Sequence, residues 1–138
     1  MGGYVAAIRA VQLGKTVALV EKDKLGGTCL HWGCIPTKAL LHTAELYHDA
    51  QSGTASGVTV SGVQLDWSVA LERKQKIVDQ LYKGVQFLMK KNKVEVIAGT
   101  GVFETPTRLQ VDGPDGGRTV EGTNVIIATG SYPRSLPG

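Results

Sequence analysis

The chain has 138 residues, of which 42% are hydrophobic and 20% charged, with a formal net charge of +3. This composition is typical of a folded globular domain and argues against disorder. The small net charge and the absence of any apolar run of about 18 residues argue against a nucleic-acid partner and a membrane span. No secretory signal precedes the first element, so we expect a cytoplasmic protein.

The first elements predict part of a βαβ unit. Apolar residues at helical spacing predict a helix from Gly2 to Leu13, and Gly14 ends it. A short β-rich run, Thr16–Val20, then reaches an acid, Glu21. Glu21 follows Gly3 by 18 residues, close to the spacing at which a carboxylate binds a ribose hydroxyl in dinucleotide-binding folds. A solvated strand end is the alternative interpretation of Glu21.

The middle of the chain predicts two helices separated by a loop. The first runs from Pro36 to about Ala50, and the second from about Asp66, a plausible N-cap, to Asn92. Residues 52–62 are rich in Gly, Ser and Thr and predict a loop with at most one short strand. The expected apolar face of the long helix consists of Trp67, Ala70, Leu71, Val78, Leu81, Val85 and Leu88.

The last third of the chain predicts strands. Four short β-rich runs, 94–98, 101–104, 108–111 and 119–121, surround a strong turn at Gly113–Gly117, which indicates a meander or hairpin. Residues 125–131 have the composition of a buried parallel strand that runs into a Gly/Ser turn. Pro133 and Pro137 predict a linker that leaves the domain.

Both cysteines, Cys29 and Cys34, lie in the segment GGTCLHWGCIPTK, residues 26–38. A zinc site needs further ligands, and His31, His42 and His48 lie at no common metal-site spacing, so we expect no metal and interpret these histidines as ordinary polar residues. Five residues of regular helix rise about 7.5 Å, beyond the ~7 Å limit on the Cα separation in a disulfide. A disulfide here would therefore exclude regular helix, whereas a position at a helix N-terminus would make the thiols reactive.

The segment GGTCLHWGCIPTK closely resembles the active-site segment of the flavin-dependent disulfide oxidoreductases. GYVAAIRAVQLGKTVALVEKDKLGG upstream and VIIATGSYPRSLPG at the end extend the resemblance over nearly the whole chain and favour the members that oxidise dihydrolipoamide. Glutathione, trypanothione and mercuric reductases are relatives and remain alternatives. His31 and Trp32 depart from the smaller residues that are commoner in the family at these positions.

The resemblance implies a fold, cofactors and a mechanism. The fold class would be α/β, a partial FAD-binding, Rossmann-like doubly wound domain whose first strand is missing. Cys29 and Cys34 would form a redox disulfide beside FAD, with Cys29 exchanging with lipoyl sulfur and Cys34 facing the flavin, while NAD accepts the electrons. The cofactor-binding residues would be Gly3, Glu21, Gly26, Gly27, Thr28, Lys38, Gly101, Thr129, Gly130 and Ser131.

The resemblance also implies partners and missing parts. We expect residues 1–138 to be a partial FAD-binding domain, truncated at both ends, without the NAD-binding and dimerisation domains of its parent. The parent would be a homodimer acting on the lipoyl group of a 2-oxoacid dehydrogenase complex or of a glycine cleavage system. The chain alone would bind FAD weakly and lack activity. A non-catalytic binding module with a structural or regulatory cysteine pair is the second hypothesis.

Overall fold

Two separately packed units make up the chain. The computed structural model describes residues 1–132 and Leu136. The first unit comprises Met1–Thr28 and Lys83–Gly138, and the second comprises Cys29–Tyr82. The predicted linker residues Pro133 and Pro137 lie outside the described part of the chain.

The first unit begins with helix α1, Gly2–Gln12, and strand β1, Ala18–Glu21. β1 pairs in parallel with β2, Glu95–Ala98, in a register that aligns Ala18 with Glu95 and Glu21 with Ala98. Predicted positions of α1 and β1 are therefore confirmed to within two residues. Parallel pairing requires a long crossover between the strands, and here 73 residues separate Glu21 from Glu95.

Three antiparallel strands complete the first unit: β3, Thr100–Thr105, β4, Arg108–Gly113, and β5, Gly116–Glu121. Gly113 pairs with Gly116, so Pro114 and Asp115 alone form the β4–β5 turn. This confirms the predicted meander and its Gly/Pro/Asp turn. The buried apolar residues of this unit are Ala7, Leu25, Val85, Met89, Val94, Ile97 and Val111.

The second unit is helical. It contains α2, Gly27–His31, of which Cys29 onward belongs to this unit, then α3, Cys34–Ser52, and a 3₁₀ helix, Gly53–Ser56. The short strand allowed between residues 52 and 62 is absent from the described chain. Arg73 Nη1 donates a 3.0 Å hydrogen bond to the carbonyl oxygen of Ala39, which ties α3 to the fourth helix.

Helix α4, Trp67–Lys91, starts at the predicted N-cap. Asp66 Oδ1 accepts hydrogen bonds from Ser68 N at 3.0 Å and Val69 N at 3.2 Å, and from Ser68 Oγ at 2.5 Å. The hydrogen bond from the Ser68 side chain, followed by that from the Val69 backbone, lowers the pKa of the Asp66 carboxyl because these donors favour its charged form. The cap prediction is therefore confirmed, and an ionised carboxylate begins the helix.

The buried side of α4 matches the predicted apolar face only in part. Ala70, Val78, Val85 and Met89 are buried, whereas the expected face residues Trp67, Leu71, Leu81 and Leu88 are exposed. Ala70, Val78 and Val85 are therefore confirmed as members of the apolar face, whereas Met89, which was not predicted, is buried and the four bulkier residues are not. The buried positions recur at steps of eight, seven and four residues and so still follow helical periodicity.

The predicted strand at residues 125–131 is wrong in this structure. No strand includes these residues, and Ile126 and Ile127 are 68% and 71% exposed. A parallel strand of a buried sheet needs hydrogen-bonding neighbours. No strand of residues 1–132 pairs with this segment, so its apolar side chains lack the sheet neighbours that a buried parallel strand requires.

Candidate functional site

The two cysteines form a disulfide where the chain changes from α2 to α3. α2 ends at His31, Trp32 and Gly33 interrupt the helix, and α3 begins at Cys34. The Cα atoms of Cys29 and Cys34 are 4.6 Å apart. This confirms that the segment between bonded cysteines is not regular helix. The break brings the two Cα atoms closer than five residues of helix would allow.

The first turn of α3 is fixed by Gly33 and Thr37. The Gly33 carbonyl oxygen accepts a 3.1 Å hydrogen bond from Thr37 N and a 2.6 Å hydrogen bond from Thr37 Oγ1. Cys34 is therefore the first residue of a 19-residue helix. At that position the unpaired backbone N–H groups and the helix dipole favour a thiolate once the disulfide opens. Cys34 is exposed and Cys29 is half-buried.

Glu21 lies at the carboxyl end of the parallel strand pair. Its backbone oxygen accepts a 2.9 Å hydrogen bond from Gly99 N, just past β2, and its Oε1 accepts a 3.0 Å hydrogen bond from Asp23 N. Ligands of open α/β sheets bind outside the carboxyl ends of the strands. The second carboxylate oxygen has no hydrogen bond among the described residues, so Glu21 retains an acceptor for a ribose hydroxyl.

Gly26 and Gly27 form a turn that other residues adopt poorly. Their φ angles are 117° and 71°, in the left-handed range. A Cβ on Gly27 would lie 2.6 Å from the backbone nitrogen of Met1, so the backbone passes too close to the start of the chain for any side chain. At Gly3, in the first turn of α1, a Cβ would lie at ordinary contact distances, 3.5 Å from Leu19 Cδ1 and 3.6 Å from Ala128 Cβ.

A second set of predicted cofactor residues, Thr129, Gly130 and Ser131, lies next to Thr28. Thr28 Oγ1 donates a 3.5 Å hydrogen bond to the Ser131 carbonyl oxygen, although 103 residues separate them. Gly130 has a φ of 76°. Two sequence segments that were predicted to line one cofactor are therefore neighbours in the first unit.

Sequence reasoning missed a contact beside this cluster. Lys22 Nζ lies 4.5 Å from the centroid of the Tyr132 ring, a cation–π geometry. Lys22 follows Glu21, and Tyr132 follows Ser131, so the contact brings the residue after β1 next to the residue after the segment 129–131. A basic residue directly after the ribose-binding candidate was the only sequence signal for it.

Two further predicted cofactor residues are Gly101 and Lys38. Gly101 is in β3, where a Cβ would lie 3.3 Å from Leu109 Cδ2 and 3.4 Å from Val20 Cγ1, so a side chain here would need its neighbour to shift by a few tenths of an ångström. Lys38 is an exposed residue of α3 in the second unit. The cofactor roles of Gly101 and Lys38 stay predictions.

The histidines have different surroundings. The His31 ring contacts the rings of Trp32 and Tyr82, with centroid separations of 5.3 Å and 5.1 Å. His42 Nδ1 lies 3.9 Å from Glu45 Oε2 on the surface of α3. Within residues 1–132 and 136, no cluster of three or more His, Cys, Asp or Glu side chains has the arrangement of a metal site. None of the helices described is long and apolar enough to cross a membrane.

Comparison with known proteins gives consistent matches over the whole chain. The family model for pyridine nucleotide-disulphide oxidoreductases matches residues 1–138. Leghemoglobin reductase of Vigna unguiculata and dihydrolipoyl dehydrogenase of Bacillus subtilis are each 50% identical over 99% of the chain, and the mitochondrial dihydrolipoyl dehydrogenase of Pisum sativum is 49% identical. The chain spans 27%, 31% and 28% of the length of these three relatives, respectively.

A solved structure shows the same fold. The HOCl-induced flavoprotein disulfide reductase RclA of Escherichia coli matches 97% of this chain and 27% of its own, with a TM-score of 0.78 and 27% identity. The predicted fold class, a partial α/β flavin-domain fold with a long helix and a small antiparallel sheet, is confirmed.

Proposed function

Because the chain belongs to the pyridine nucleotide-disulphide oxidoreductase family, we propose that it supplies the disulfide and part of the FAD-binding domain of a dihydrolipoamide dehydrogenase. The parent reaction is the oxidation of dihydrolipoamide with reduction of NAD⁺. The disulfide between Cys29 and Cys34, formed at a helix break, is the observation that carries this proposal. The NAD-binding and dimerisation domains would belong to the remaining length of such an enzyme, since the relatives are more than three times as long as this chain.

The proposed chemistry is thiol–disulfide exchange. A thiolate of the dihydrolipoyl group attacks Cys29 Sγ, the Cys29–Cys34 bond breaks, and Cys34 leaves as a thiolate favoured by the N-terminus of α3. The second substrate thiol, after losing its proton, attacks the lipoyl sulfur of the mixed disulfide and releases the Cys29 thiolate. The substrate has then lost two electrons and two protons, and the cysteine pair holds the electrons. Bound FAD supplies the route by which they reach NAD⁺.

The described residues of the first unit fit a flavin dinucleotide. Glu21 offers a free carboxylate oxygen at the carboxyl end of a parallel strand, as a ribose requires. The Gly26–Gly27 turn allows close approach of backbone, as a pyrophosphate requires. We assign cofactor binding to the ten residues predicted for it: Gly3, Glu21, Gly26, Gly27, Thr28, Lys38, Gly101, Thr129, Gly130 and Ser131.

The proposal extends to partners and location. The electron donor would be a lipoyl group carried by a 2-oxoacid dehydrogenase complex or a glycine cleavage system, and the parent would act as a homodimer. A cytoplasmic location is part of the proposal, and relatives named as mitochondrial make an organelle the alternative. A different reductase of the family is the alternative, supported by the match to leghemoglobin reductase.

A chimera tests the proposal. Residues 1–138 would replace the matching region of the Bacillus subtilis dihydrolipoyl dehydrogenase, to which the chain is 50% identical. We expect a yellow protein that oxidises dihydrolipoamide with NAD⁺. Substitution Cys29→Ser or Cys34→Ser should lower turnover by about 10³-fold or more, since neither variant can form the exchanging disulfide.

The matched control is His42→Asn, an exposed change on α3, which should retain turnover. A flavin-loaded chimera without dihydrolipoamide oxidation would contradict the proposal. So would Cys29→Ser or Cys34→Ser variants that remain as active as the parent chimera. Faster reduction of glutathione disulfide than oxidation of dihydrolipoamide would favour the alternative reductase.

A further inference from the structure

His31, between the two cysteines, is held by aromatic contacts within the second unit. Its ring lies 5.1 Å from that of Tyr82 with an interplanar angle of 73°, an edge-to-face arrangement. The Trp32 ring lies 5.3 Å away at 50°. His31 is the last residue of α2, and Tyr82 belongs to α4. The segment enclosed by the disulfide is thus attached to a helix 51 residues further along the chain.

Attachment of this segment to α4 affects the equilibrium between the disulfide and the dithiol forms of Cys29 and Cys34. In the disulfide form the Cα atoms of Cys29 and Cys34 are held 4.6 Å apart. When the bond is reduced, the interruption at Trp32 and Gly33 leaves the segment free to move unless another contact restrains it. A restraint that persists in the dithiol form reduces the entropy lost on closing the bond again, and so favours the disulfide.

The strength of the His31–Tyr82 contact limits how far it can shift the equilibrium between disulfide and dithiol. Edge-to-face aromatic pairs change equilibrium constants by a factor of about two to ten. The Trp32 ring is 60% exposed and belongs to the interrupted segment itself. Tyr82 is half-buried and lies within a 25-residue helix, so it is able to anchor the segment.

We propose that Tyr82 is a positioning residue for the redox pair, acting through His31 to stabilise the Cys29–Cys34 disulfide against reduction. This deepens the proposed function and rests on it only in taking these cysteines as the exchanging pair. The aromatic clamp, defined as His31 and Tyr82, sets the equilibrium between disulfide and dithiol.

The test measures thiol–disulfide equilibrium of the 138-residue chain with reduced and oxidised dithiothreitol. The chain's disulfide becomes a dithiol as dithiothreitol is oxidised, so electrons and protons balance, and alkylation of free thiols gives the fraction reduced. We expect Tyr82→Leu and His31→Asn each to raise the equilibrium constant for reduction about two- to tenfold; a tenfold change corresponds to about 30 mV. Tyr82→Phe, which keeps the ring, should restore the parent value.

Matched controls separate the clamp from general effects. Tyr47→Leu removes another half-buried tyrosine of the second unit, and His42→Asn removes a histidine that pairs with Glu45; both should leave the equilibrium constant unchanged. The double variant Tyr82→Leu/His31→Asn should shift it no more than the larger single change, because each removes the same contact. If Tyr82→Leu loses helical circular dichroism, the equilibrium constants of His31→Asn and Tyr82→Phe alone test the clamp.

Three results would overturn the clamp: no shift in Tyr82→Leu and His31→Asn, an equal shift in Tyr82→Phe, or fully additive shifts in the double variant. The assay contains no flavin and no lipoyl substrate. An inactive chimera therefore overturns the proposed function and leaves the clamp standing. An active chimera, together with unchanged equilibrium constants in the Tyr82 and His31 variants, overturns the clamp and leaves the proposed function standing.

Discussion

Two segments with equally recognisable sequences, residues 26–38 and residues 125–131, differ sharply in how the structure forms them. The first has a defined helix break, a disulfide and a hydrogen-bonded first turn. The second forms no strand and exposes Ile126 and Ile127. The two segments differ in how far along the sequence their stabilising partners lie. A covalent link and a helix N-terminus are completed by nearby residues, whereas a parallel strand depends on neighbours distant in sequence.

The largest expected effect comes from truncating an isoleucine in a strand that has its partner, compared with one in the unpaired segment 125–131. Ile97, in the paired strand β2, is 5% exposed, whereas Ile126 is 68% exposed. We expect Ile97→Ala to lower the free energy of unfolding by about 2–5 kcal/mol. Ile126→Ala should lower it by less than about 0.5 kcal/mol. Urea denaturation followed by circular dichroism measures both, and similar losses would show that residues 125–131 pack as a strand in solution.

Removal of the Cys29–Cys34 disulfide tests how much this bond stabilises the fold. The double variant Cys29→Ser/Cys34→Ser loses the loop constraint on the unfolded chain, which for so short a loop is worth about 2 kcal/mol. We expect the urea midpoint to fall accordingly, and the wild-type chain with reduced thiols should match the variant. Equal midpoints for oxidised and reduced wild type would contradict a stabilising role for the link.

The N-cap of α4 is a second locally completed feature, with a smaller effect. Asp66→Ala should lower stability at neutral pH by less than the loss of the cysteine link. Because hydrogen bonds lower the folded-state pKa of Asp66 below its ordinary 3.8, its contribution is present above that value and is lost as the pH falls through the folded pKa. Urea midpoints of wild type and Asp66→Ala should therefore converge in acid.

Ser68→Ala provides the matched variant for the cap. It keeps the carboxylate but removes the hydrogen bond that contributes most to the lowered pKa of Asp66. Its urea midpoint should lie between those of wild type and Asp66→Ala at neutral pH. A constant gap between wild type and Asp66→Ala from neutral to strongly acid pH would contradict the ionised cap.

The smallest effect is expected at the other end of α4. Lys93 has a φ of 56°, and Val94 N and Lys93 N donate to the carbonyl oxygens of Met89 and Lys90 at 3.0 Å and 3.1 Å. Glycine fits this left-handed position, so Lys93→Gly should raise the free energy of unfolding by about 0.5 kcal/mol. Lys91→Gly, still within the helix, should lower it by a similar amount. Equal signs for the two changes would contradict the assigned helix end.

These contrasts explain what the sequence predicted well. The Asp66 cap and the Gly113–Gly117 turn were predicted from a few adjacent residues, because capping and turn formation depend on local geometry. The irregular Cys29–Cys34 segment followed from local geometry only on the condition that the two cysteines bond, and the bond itself was implied by the family resemblance. The Thr28–Ser131 and Lys22–Tyr132 contacts join residues more than 100 positions apart. Only the family resemblance placed Thr28 and Ser131 in one site, and nothing in the sequence indicated Tyr132.

The predictions that failed depended on packing. The hydrophobic face of α4 was predicted from residue type, yet Met89 is 2% exposed and Leu71 and Leu88 are each 38% exposed. A helix of mixed composition has several apolar stripes, and its neighbours decide which one is buried. The same reason applies to Tyr82, whose contact with His31 no periodicity in the sequence could have shown.

Both partners of the disulfide lie within one stretch free of lysine and arginine, between Lys24 and Lys38. Trypsin therefore releases Cys29 and Cys34 together in a single peptide, and the link never joins two fragments. Opening it adds two hydrogen atoms to that peptide, or two alkyl groups after trapping, and Trp32 provides an ultraviolet label for it. Mass spectrometry of one fragment thus reports the redox state of this protein directly in a cell extract.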